Sequence, residues 1–329
     1  TFDPRLISVI PAAVAEAAIK SGAARKKIED FELYKDQLSN RLDPSMSLMQ
    51  GINAKIRKNP KRVIFAEGED ENMLKAAIEF GRNKLGIPIL IGVEKRIRDQ
   101  LKKIGLDENY KIEIVNSTDK EKREKYVKHL YKKLQREGQL ERDVDRLVRN
   151  DRIAWGSSMI ACKDADAMVT GNIRHYAASI EKLKYVVEAR PGEEIFGMTM
   201  IVSKGKTILV ADTNVQDFPS SERLVNVSKS CVRVARLFGF DPKVAFLSHS
   251  TFGKPISKNT KHVRDAIQKL KKEKVDFDFD GEMQPDVALN PIYQEIYPFS
   301  KIVGNANILI MPALHSAAIS TKLMKVFGG

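Results

Sequence analysis

Arg62-Val63-Ile64-Phe65-Ala66, an amphipathic stretch from about Asp70 to Lys84, and then Pro88-Ile89-Leu90-Ile91 decide the fold class. Two short β-rich runs separated by one helix-length segment predict a strand, a crossover helix and a parallel strand. The alternation continues with a helix from Glu94 to Ile104 and a strand from Lys111 to Val115. Helices then fill Lys120 to Cys162, and the strand Ala167-Met168-Val169-Thr170 leads through Gly171 into a helix ending near Val187. Strands alternating with helices in this way predict an α/β architecture on a parallel, doubly wound sheet.

Arg190-Pro191-Gly192 breaks the pattern. Ile195 to Ser203 and Lys206 to Ala211 then flank a Lys204-Gly205 turn, which predicts an antiparallel hairpin and, with the change of sheet type, a second domain. The α/β alternation resumes with helix Ser221 to Phe238, strand Val244 to Ser248, helix Asn259 to Lys272, strand Val275 to Phe279, a helix near Pro291, strand Asn307 to Met311 and helix Ser316 to Phe327. Upstream, residues 1–40 form a separate piece: Ala-rich Pro11 to Ala24 has helical spacing with Pro near its start, and a second helix is expected from Glu29 to Leu38. The first residue is Thr1 and the last are Gly328-Gly329, from which a fragment of a longer chain is expected.

The 329 residues suffice for two α/β domains. With 43% hydrophobic residues, and no apolar run near the ~20 residues of a spanning helix, a soluble globular protein without a membrane role is expected. Cys162 and Cys231 have no second Cys or His at ligand spacing, so neither a disulfide framework nor a metal site is expected, and the cytoplasm is the expected compartment. The net charge of +13 raises nucleic acid as a partner. Yet the densest basic run, Asp119 to Arg152, is interleaved with acids, and its apolar Tyr126, Val127, Leu130, Tyr131 and Leu134 keep helical spacing. That is a set of solvated helix faces, and no nucleic-acid partner is expected.

Ligands of open α/β sheets bind beyond the carboxyl ends of the strands, so the chemistry is sought in the loops there. Ser248-His249-Ser250-Thr251-Phe252-Gly253 offers hydroxyls and amides for a phosphate, or simply a capped turn. Asp280-Gly281-Glu282-Met283-Gln284 places two carboxylates around a glycine at an expected strand end, where helix capping is the plainer reading. Thr170-Gly171-Asn172-Ile173-Arg174-His175 supplies a cation and an imidazole, and Ala313-Leu314-His315-Ser316 another imidazole. Asp212-Thr213-Asn214 fits an Asx turn after the hairpin. No Gly-x-Gly-x-x-Gly, Walker loop, Gly-x-Ser-x-Gly elbow or His-Glu-x-x-His is present, which excludes a complete nucleotide-dependent dehydrogenase.

With these loops in view, the chain from about Asn59 to Gly329 resembles the phosphotransacetylase (phosphate acetyl/butyryltransferase) family. The resemblance rests on Arg62 to Glu71, Val169-Thr170-Gly171, Ala211-Asp212-Thr213-Asn214, Phe246 to Gly253, Phe279 to Gln284 and Gly304 to Pro312. Phe2-Asp3-Pro4-Arg5-Leu6 and Ser21-Gly22-Ala23-Ala24 resemble the tail of a bacterial malic enzyme catalytic domain. That junction is similar to the hybrid NADP-dependent malic enzymes, whose C-terminal part is phosphotransacetylase-like. The loop from Ser248 to Gly253 and His315-Ser316 fit that hybrid version better than the free-standing enzyme.

The resemblance implies two three-layer α/β domains of the isocitrate/isopropylmalate-dehydrogenase-like phosphotransacetylase fold: a malic enzyme tail at 1–40, a first domain at 41–191 lacking its C-terminal return, and a second at 192–329 with the hairpin. It also implies that the family's late catalytic segment, containing Asn-Asp-Leu-Ser-Arg-Gly, lies outside this chain, so no catalytic residue is expected within it. Glu181 stands where the active family carries a phosphate-gripping arginine, Leu134 at a second substrate arginine, and Phe252 at the lysine of Ser-Thr-Lys-Gly. A carboxylate in place of a phosphate clamp changes the local charge by two units and repels a dianion. The resemblance thus implies a catalytically silent domain that senses acetyl-CoA, contributes to a homodimer and a larger oligomer, and is attached to a malic enzyme using NADP and a divalent metal. An active phosphate acetyltransferase and a ligand-free dimerisation module stay open as alternatives. Arg174, Ser248, Ser250, Thr251, Asp280, His315 and Lys322 are the candidate ligand contacts, to acetyl-CoA, a related acyl-CoA or phosphate.

Overall fold

A computed structural model describes residues 6–24, 26, 28, 31, 34, 38 and 44–327, apart from 108, 109, 192, 204, 205 and 256. The chain divides into two compact units, residues 53–188 and residues 1–52 with 189–329. The division near the second expected boundary falls between 188 and 189, three residues before the Pro-Gly break suggested. Helix α1 (Leu6–Lys20) begins before the expected start, so that Pro11 lies inside it. The helix expected from Glu29 to Leu38 falls largely outside the described residues, as does the Lys204-Gly205 turn. Helix α2 (Pro44–Lys58) precedes the first strand.

The unit of residues 53–188 is built on β1 (Lys61–Phe65), β2 (Gly86–Ile91), β3 (Glu113–Val115) and β4 (Ala167–Val169), parallel throughout and ordered β3-β2-β1-β4. Successive strand residues point to opposite faces, and both faces are covered. Phe65 and Leu90 pack under α3 (Glu71–Arg82) and α4 (Glu94–Lys103). Ile64, Ile89 and Ile91 pack under α5 (Lys120–Leu134), α6 (Glu141–Asn150) and α7 (Arg152–Ala161), where Tyr126 meets Trp155 edge-on with ring centroids 5.0 Å apart. Helix α8 (Tyr176–Val186) follows β4. Asp70 and Asp119 cap α3 and α5 by accepting the backbone N–H three residues on, which sets where these helices start.

The other unit carries β5 (Met198–Ser203), β6 (Lys206–Ala211), α9 (Ser221–Leu237), β7 (Lys243–Leu247), α10 (Lys261–Glu273), β8 (Asp278–Met283), the short α11 (Pro285–Leu289) and α12 (Pro291–Gln294), β9 (Ile308–Ile310) and α13 (Leu314–Phe327). Its sheet is ordered β5-β6-β9-β7-β8, with β5 antiparallel to β6 and the rest parallel. Leu209, Val244, Phe246 and Ile308 face α9 and α10, while Val210, Ala245, Leu247 and Leu309 face Val287, Ala288 and Ala317. Three layers result in each unit, as the two-domain α/β expectation requires.

One strand was placed wrongly by its sequence. The expected strand Val275 to Phe279 is displaced to Asp278–Met283, so Asp280 and Glu282 lie within β8 and not in a loop after it. The sheet tolerates them because each carboxylate has fixed partners: Asp280 accepts from the backbone N–H of Gly281 (2.9 Å) and Lys301 (2.8 Å). Gly281 has φ +141°, and a Cβ there would lie 2.6 Å from the Phe246 carbonyl oxygen, so the close passage of β8 along β7 needs glycine. At this point the register shifts, with Phe246 opposite Gly281 and Leu247 opposite Met283, leaving Glu282 as the extra residue. Among the described residues no helix is long and apolar enough to cross a membrane.

Phe246 is fully buried between β8 and the helices. Phe246→Ala is expected to lower the unfolding free energy of its unit by about 3–5 kcal/mol, and Leu237→Ala, 67% exposed in the wild type, by less than about 0.5 kcal/mol. Urea denaturation followed by circular dichroism checks both.

Candidate functional site

Insertion of β9 between β6 and β7 brings the loops after β7 and β9 side by side. Beyond them lies a cleft of about 840 Å³. Ser248 and His249 enter it from β7, and His315 and Ser316 from the start of α13. Lys258, Lys261 and His262 reach it from the short turn before α10 and from that helix's first residues, and Ser221 from the first residue of α9. Three helices thus direct their N-terminal, electropositive ends at one space. The volume is in the range that holds a cofactor-sized ligand. His262 Nε2 lies 2.9 Å from the Pro312 carbonyl oxygen; a carbonyl only accepts, so Nε2 carries the proton and Nδ1 is the nitrogen that can still take one. The His315 ring stands 5.6 Å from that of Phe218.

A buried charge pair supports the cleft wall. Glu282, 1% exposed, accepts from the Ser250 hydroxyl (2.8 Å) and from Arg264 Nη1 (3.1 Å). Because a carboxylate only accepts, the Ser250 proton points to Glu282, and the Ser248 hydroxyl 3.3 Å away is free to donate either to Ser250 or into the cleft. Arg264 also donates to the Thr260 hydroxyl (2.9 Å) and the Ser257 carbonyl (3.0 Å), so one guanidinium holds together the bulge of β8, the loop after β7 and the start of α10. Thr251 Oγ1 accepts from Gln284 N (3.2 Å), and Phe252 turns away to pack on Tyr297 and Phe299, with centroids 5.2 and 4.9 Å distant.

In the unit of residues 53–188 the carboxyl ends of β1 and β4 meet at a second cleft of about 510 Å³, lined by Glu67, Asp70, Arg152 and Arg174 among others. Arg174 does not stand free in it: Nη1 donates to Asp151 Oδ2 at 2.8 Å, and Lys182 pairs with the same oxygen. Asp151 Oδ1 caps α7 by accepting from the N–H groups of Ile153 (2.9 Å) and Ala154 (3.1 Å). Burial pushes the Asp151 pKa up, but the Lys182 and Arg174 hydrogen bonds outweigh it, and the carboxyl is held below its usual range. Neither thiol is poised as a nucleophile, since burial raises Cys162 and pushes Cys231 up to about 12.

Of the expected ligand contacts, the structure brings Ser248 and His315 together in one cleft and places Arg174 in the other. Ser250 and Thr251 are buried behind Ser248 as support, Asp280 is a strand residue that anchors backbone, and Lys322 is exposed further along α13. None of these four lines either cleft. Lys258, Lys261, His262 and the Arg264–Glu282 pair were not anticipated. The first three sit where an amphipathic helix begins, and nothing in a helical pattern marks the one end that faces a cleft. Glu282 was visible as a carboxylate beside Gly281, but its partner on another element was not.

Glu282→Gln is expected to cost about 3 kcal/mol of stability, the lower end for a broken buried pair, because Arg264 keeps 32% of its side chain in solvent. Asp151→Asn keeps the cap but removes the charge, and should cost about 1–3 kcal/mol at pH 7. A lowered folded pKa contributes stability above the unfolded carboxyl pKa of about 4, and that contribution is lost as pH falls through the folded value. The deficit of Asp151→Asn should therefore be largest at neutral pH and shrink progressively as pH falls below about 4, which urea titrations over a series of pH values measure.

The family described as phosphate acetyl/butaryl transferase matches residues 47–329. The NADP-dependent malic enzyme of Rhizobium meliloti (strain 1021) is 44% identical over 329 residues, 100% of this chain and 43% of that protein. The phosphate acetyltransferase of Staphylococcus aureus (strain MRSA252) is 26% identical over 288 residues, 86% of this chain and 87% of that one. A phosphotransacetylase structure from Streptococcus pyogenes superposes with a TM-score of 0.76 at 27% identity, covering 86% of each chain. The chain spans less than half the length of the malic enzymes it matches. It belongs to the phosphate acetyl/butaryl transferase family and is similar over its whole length to the phosphotransacetylase-like C-terminal part of NADP-dependent malic enzymes.

Proposed function

We propose that the chain is a regulatory and oligomerisation part of a cytoplasmic NADP-dependent malic enzyme, binding acetyl-CoA without transferring its acetyl group. Malate decarboxylation to pyruvate then belongs to a separate catalytic domain that uses NADP and a divalent metal. Acetyl transfer between phosphate and the CoA thiol needs cations on the phosphate and donors for the developing oxyanion. The observation that carries the proposal is the fate of three positions where the family resemblance leads one to expect cations. Glu181 brings a carboxylate to the exposed side of α8, Leu134 is 1% exposed in the core under α5, and Phe252 is committed to an aromatic cluster. The cleft beyond β7 and β9 nevertheless keeps hydroxyls, lysines and imidazoles, enough for binding.

An effector acts by binding one state of an assembly better than another, with a coupling of typically ~1–3 kcal/mol, a roughly 5–150-fold change in affinity. Acetyl-CoA added to the full-length protein is expected to change malate decarboxylation over that range, while acetyl phosphate is not consumed in the presence of CoA. Malate kinetics indifferent to acetyl-CoA, or robust CoA-dependent loss of acetyl phosphate, would overturn the proposal.

A further inference from the structure

We infer that Arg223, on the first turn of α9, is a two-position latch between Glu194 and Asp212, and that its choice of carboxylate sets whether the stretch from Glu193 to Gly197 is fastened to α9 at Glu194 and Ile195. As a route for regulation this rests on the acetyl-CoA-sensing proposal; the latch itself does not depend on it.

The chain passes from one unit to the other at two places, one of them between 188 and 189. Just beyond that point Glu193 to Gly197 run without regular secondary structure. Side chains of α9 fasten them: Arg233 donates to Glu193 (2.7 Å), Asn226 to Glu194 Oε1 (3.0 Å), and Arg223 to Glu194 Oε2 and the Ile195 carbonyl. At the far end of the stretch the Gly197 N–H donates to Asp212 Oδ1 (2.8 Å), which also accepts from the N–H groups of Asn214 (3.1 Å) and Val215 (3.2 Å). A Cβ at Gly197 would stand 3.0 Å from the Asn214 nitrogen, so the stretch lies directly against the turn after β6.

Arg223 stands between two carboxylates and serves them unequally. Nη1 is bonded to Glu194, while Nη2 lies 3.7 Å from Asp212 Oδ2, outside hydrogen-bond reach. Arg223 Nε, a donor, and Asp212 Oδ2, an acceptor, are both buried, and neither has a hydrogen-bond partner among the described residues. A buried donor and a buried acceptor left unmade are each costly, and here they belong to the two sides of one ion pair. Turning the guanidinium toward Asp212 joins them at the expense of Glu194 and Ile195, so the two arrangements exchange charge-assisted hydrogen bonds of the same kind. A released Glu194 has water available, since 31% of its side chain is exposed, whereas Asp212 at 6% has only the protein.

The latch adjoins the cleft beyond β7 and β9. Phe218 and Ser221 line that cleft, Ser220 caps α9 by accepting from the Arg223 N–H (3.2 Å), and the Leu314 N–H donates to the Asp217 carbonyl (3.1 Å), tying this segment to the start of α13. Glu194 and Asp212 sit on other segments, so an occupant that shifts the first turn of α9 moves Arg223 against both. A ligand displaces an equilibrium only through differential contact with its two states. The latch supplies two states that differ at a helix end on the cleft wall.

A double-mutant cycle on the full chain, read by urea denaturation, tests the latch. Glu194→Gln and Asp212→Asn each keep the oxygen that serves other partners and remove the one that Arg223 can take. With one carboxylate gone Arg223 falls back on the other, so the double variant should have an unfolding constant about fivefold or more above that expected from the product of the single effects. Effects that simply multiply, or a double variant less affected than that product, overturn the latch. Where the double variant does not fold, Arg223→Lys decides by hydrogen exchange: it keeps the charge but not the fork, and the Ile195 to Gly197 amides should exchange about fivefold faster or more, unchanged protection overturning the latch. On the full-length protein, Glu194→Gln should leave the affinity for acetyl-CoA within about twofold and abolish its effect on malate decarboxylation. A wild-type response in that variant overturns the latch as the regulatory route while sensing stands. No response in the wild-type protein removes the sensing proposal, and the cycle on the full chain then decides the latch alone.

Discussion

Burial of both faces of a parallel sheet is the constraint on which the rest of this protein depends. A parallel strand cannot leave one face wet, because its crossover helices return over the sheet and need apolar surface beneath them. In β1 and β2 consecutive residues therefore go to opposite cores, Ile64 and Ile89 under α5 to α7, and Phe65 and Leu90 under α3 and α4. In the other unit, Val244 and Phe246 of β7 face α9 and α10, while Ala245 and Leu247 face the opposite layer. β9 is only three residues, Ile308 to Ile310, and all are buried. That short strand is nevertheless what separates β6 from β7 and sets His315 beside Ser248.

Two buried carboxylates, Glu282 and Asp151, are admitted into this apolar frame with partners drawn from other elements. Unpaired, a carboxylate at the position of Glu282 would carry a desolvation penalty of several kcal/mol. Arg264 and Ser250 remove that penalty, and in doing so they tie three segments of the cleft wall together. Asp151 plays the same part in the other unit, where one carboxylate caps α7 and receives Arg174 and Lys182. Arg174, expected as a ligand contact, is thus engaged by the protein itself.

The fold was largely legible in the sequence, because the two-period of strands and the 3.6-period of helices leave a direct imprint on apolar spacing. Nearly every expected element from Arg62 to Phe327 has its counterpart within a few residues. The exception, β8, failed for a physical reason: Asp280, Gly281 and Glu282 carry loop chemistry, and only a partner from another element makes them strand residues. The site was legible only in part for the same reason. Ser248 and His315 follow strands and could be found by that rule, whereas Lys258, Lys261 and His262 open an amphipathic helix whose pattern reports the buried face and says nothing of what its first turn confronts.

Binding and turnover make different demands, and the distribution of charge in this chain separates them. Acceleration requires groups that meet the transition state better than the ground state; for acetyl transfer these are cations on the departing or attacking phosphate and donors for the developing oxyanion. A sensor requires only that the bound ligand distinguish two states of the assembly, for which ground-state contacts suffice. On the proposed function, a carboxylate at Glu181, a packed core residue at Leu134 and an aromatic ring at Phe252 stand where the first kind of group would be needed. Two lysines, three imidazoles and the Ser248 hydroxyl retain the second. The excess of 56 basic over 43 acidic residues is thus a poor guide by itself. On the proposed function, what matters is where the cations stand: not at Glu181, Leu134 or Phe252, but along the cleft beyond β7 and β9.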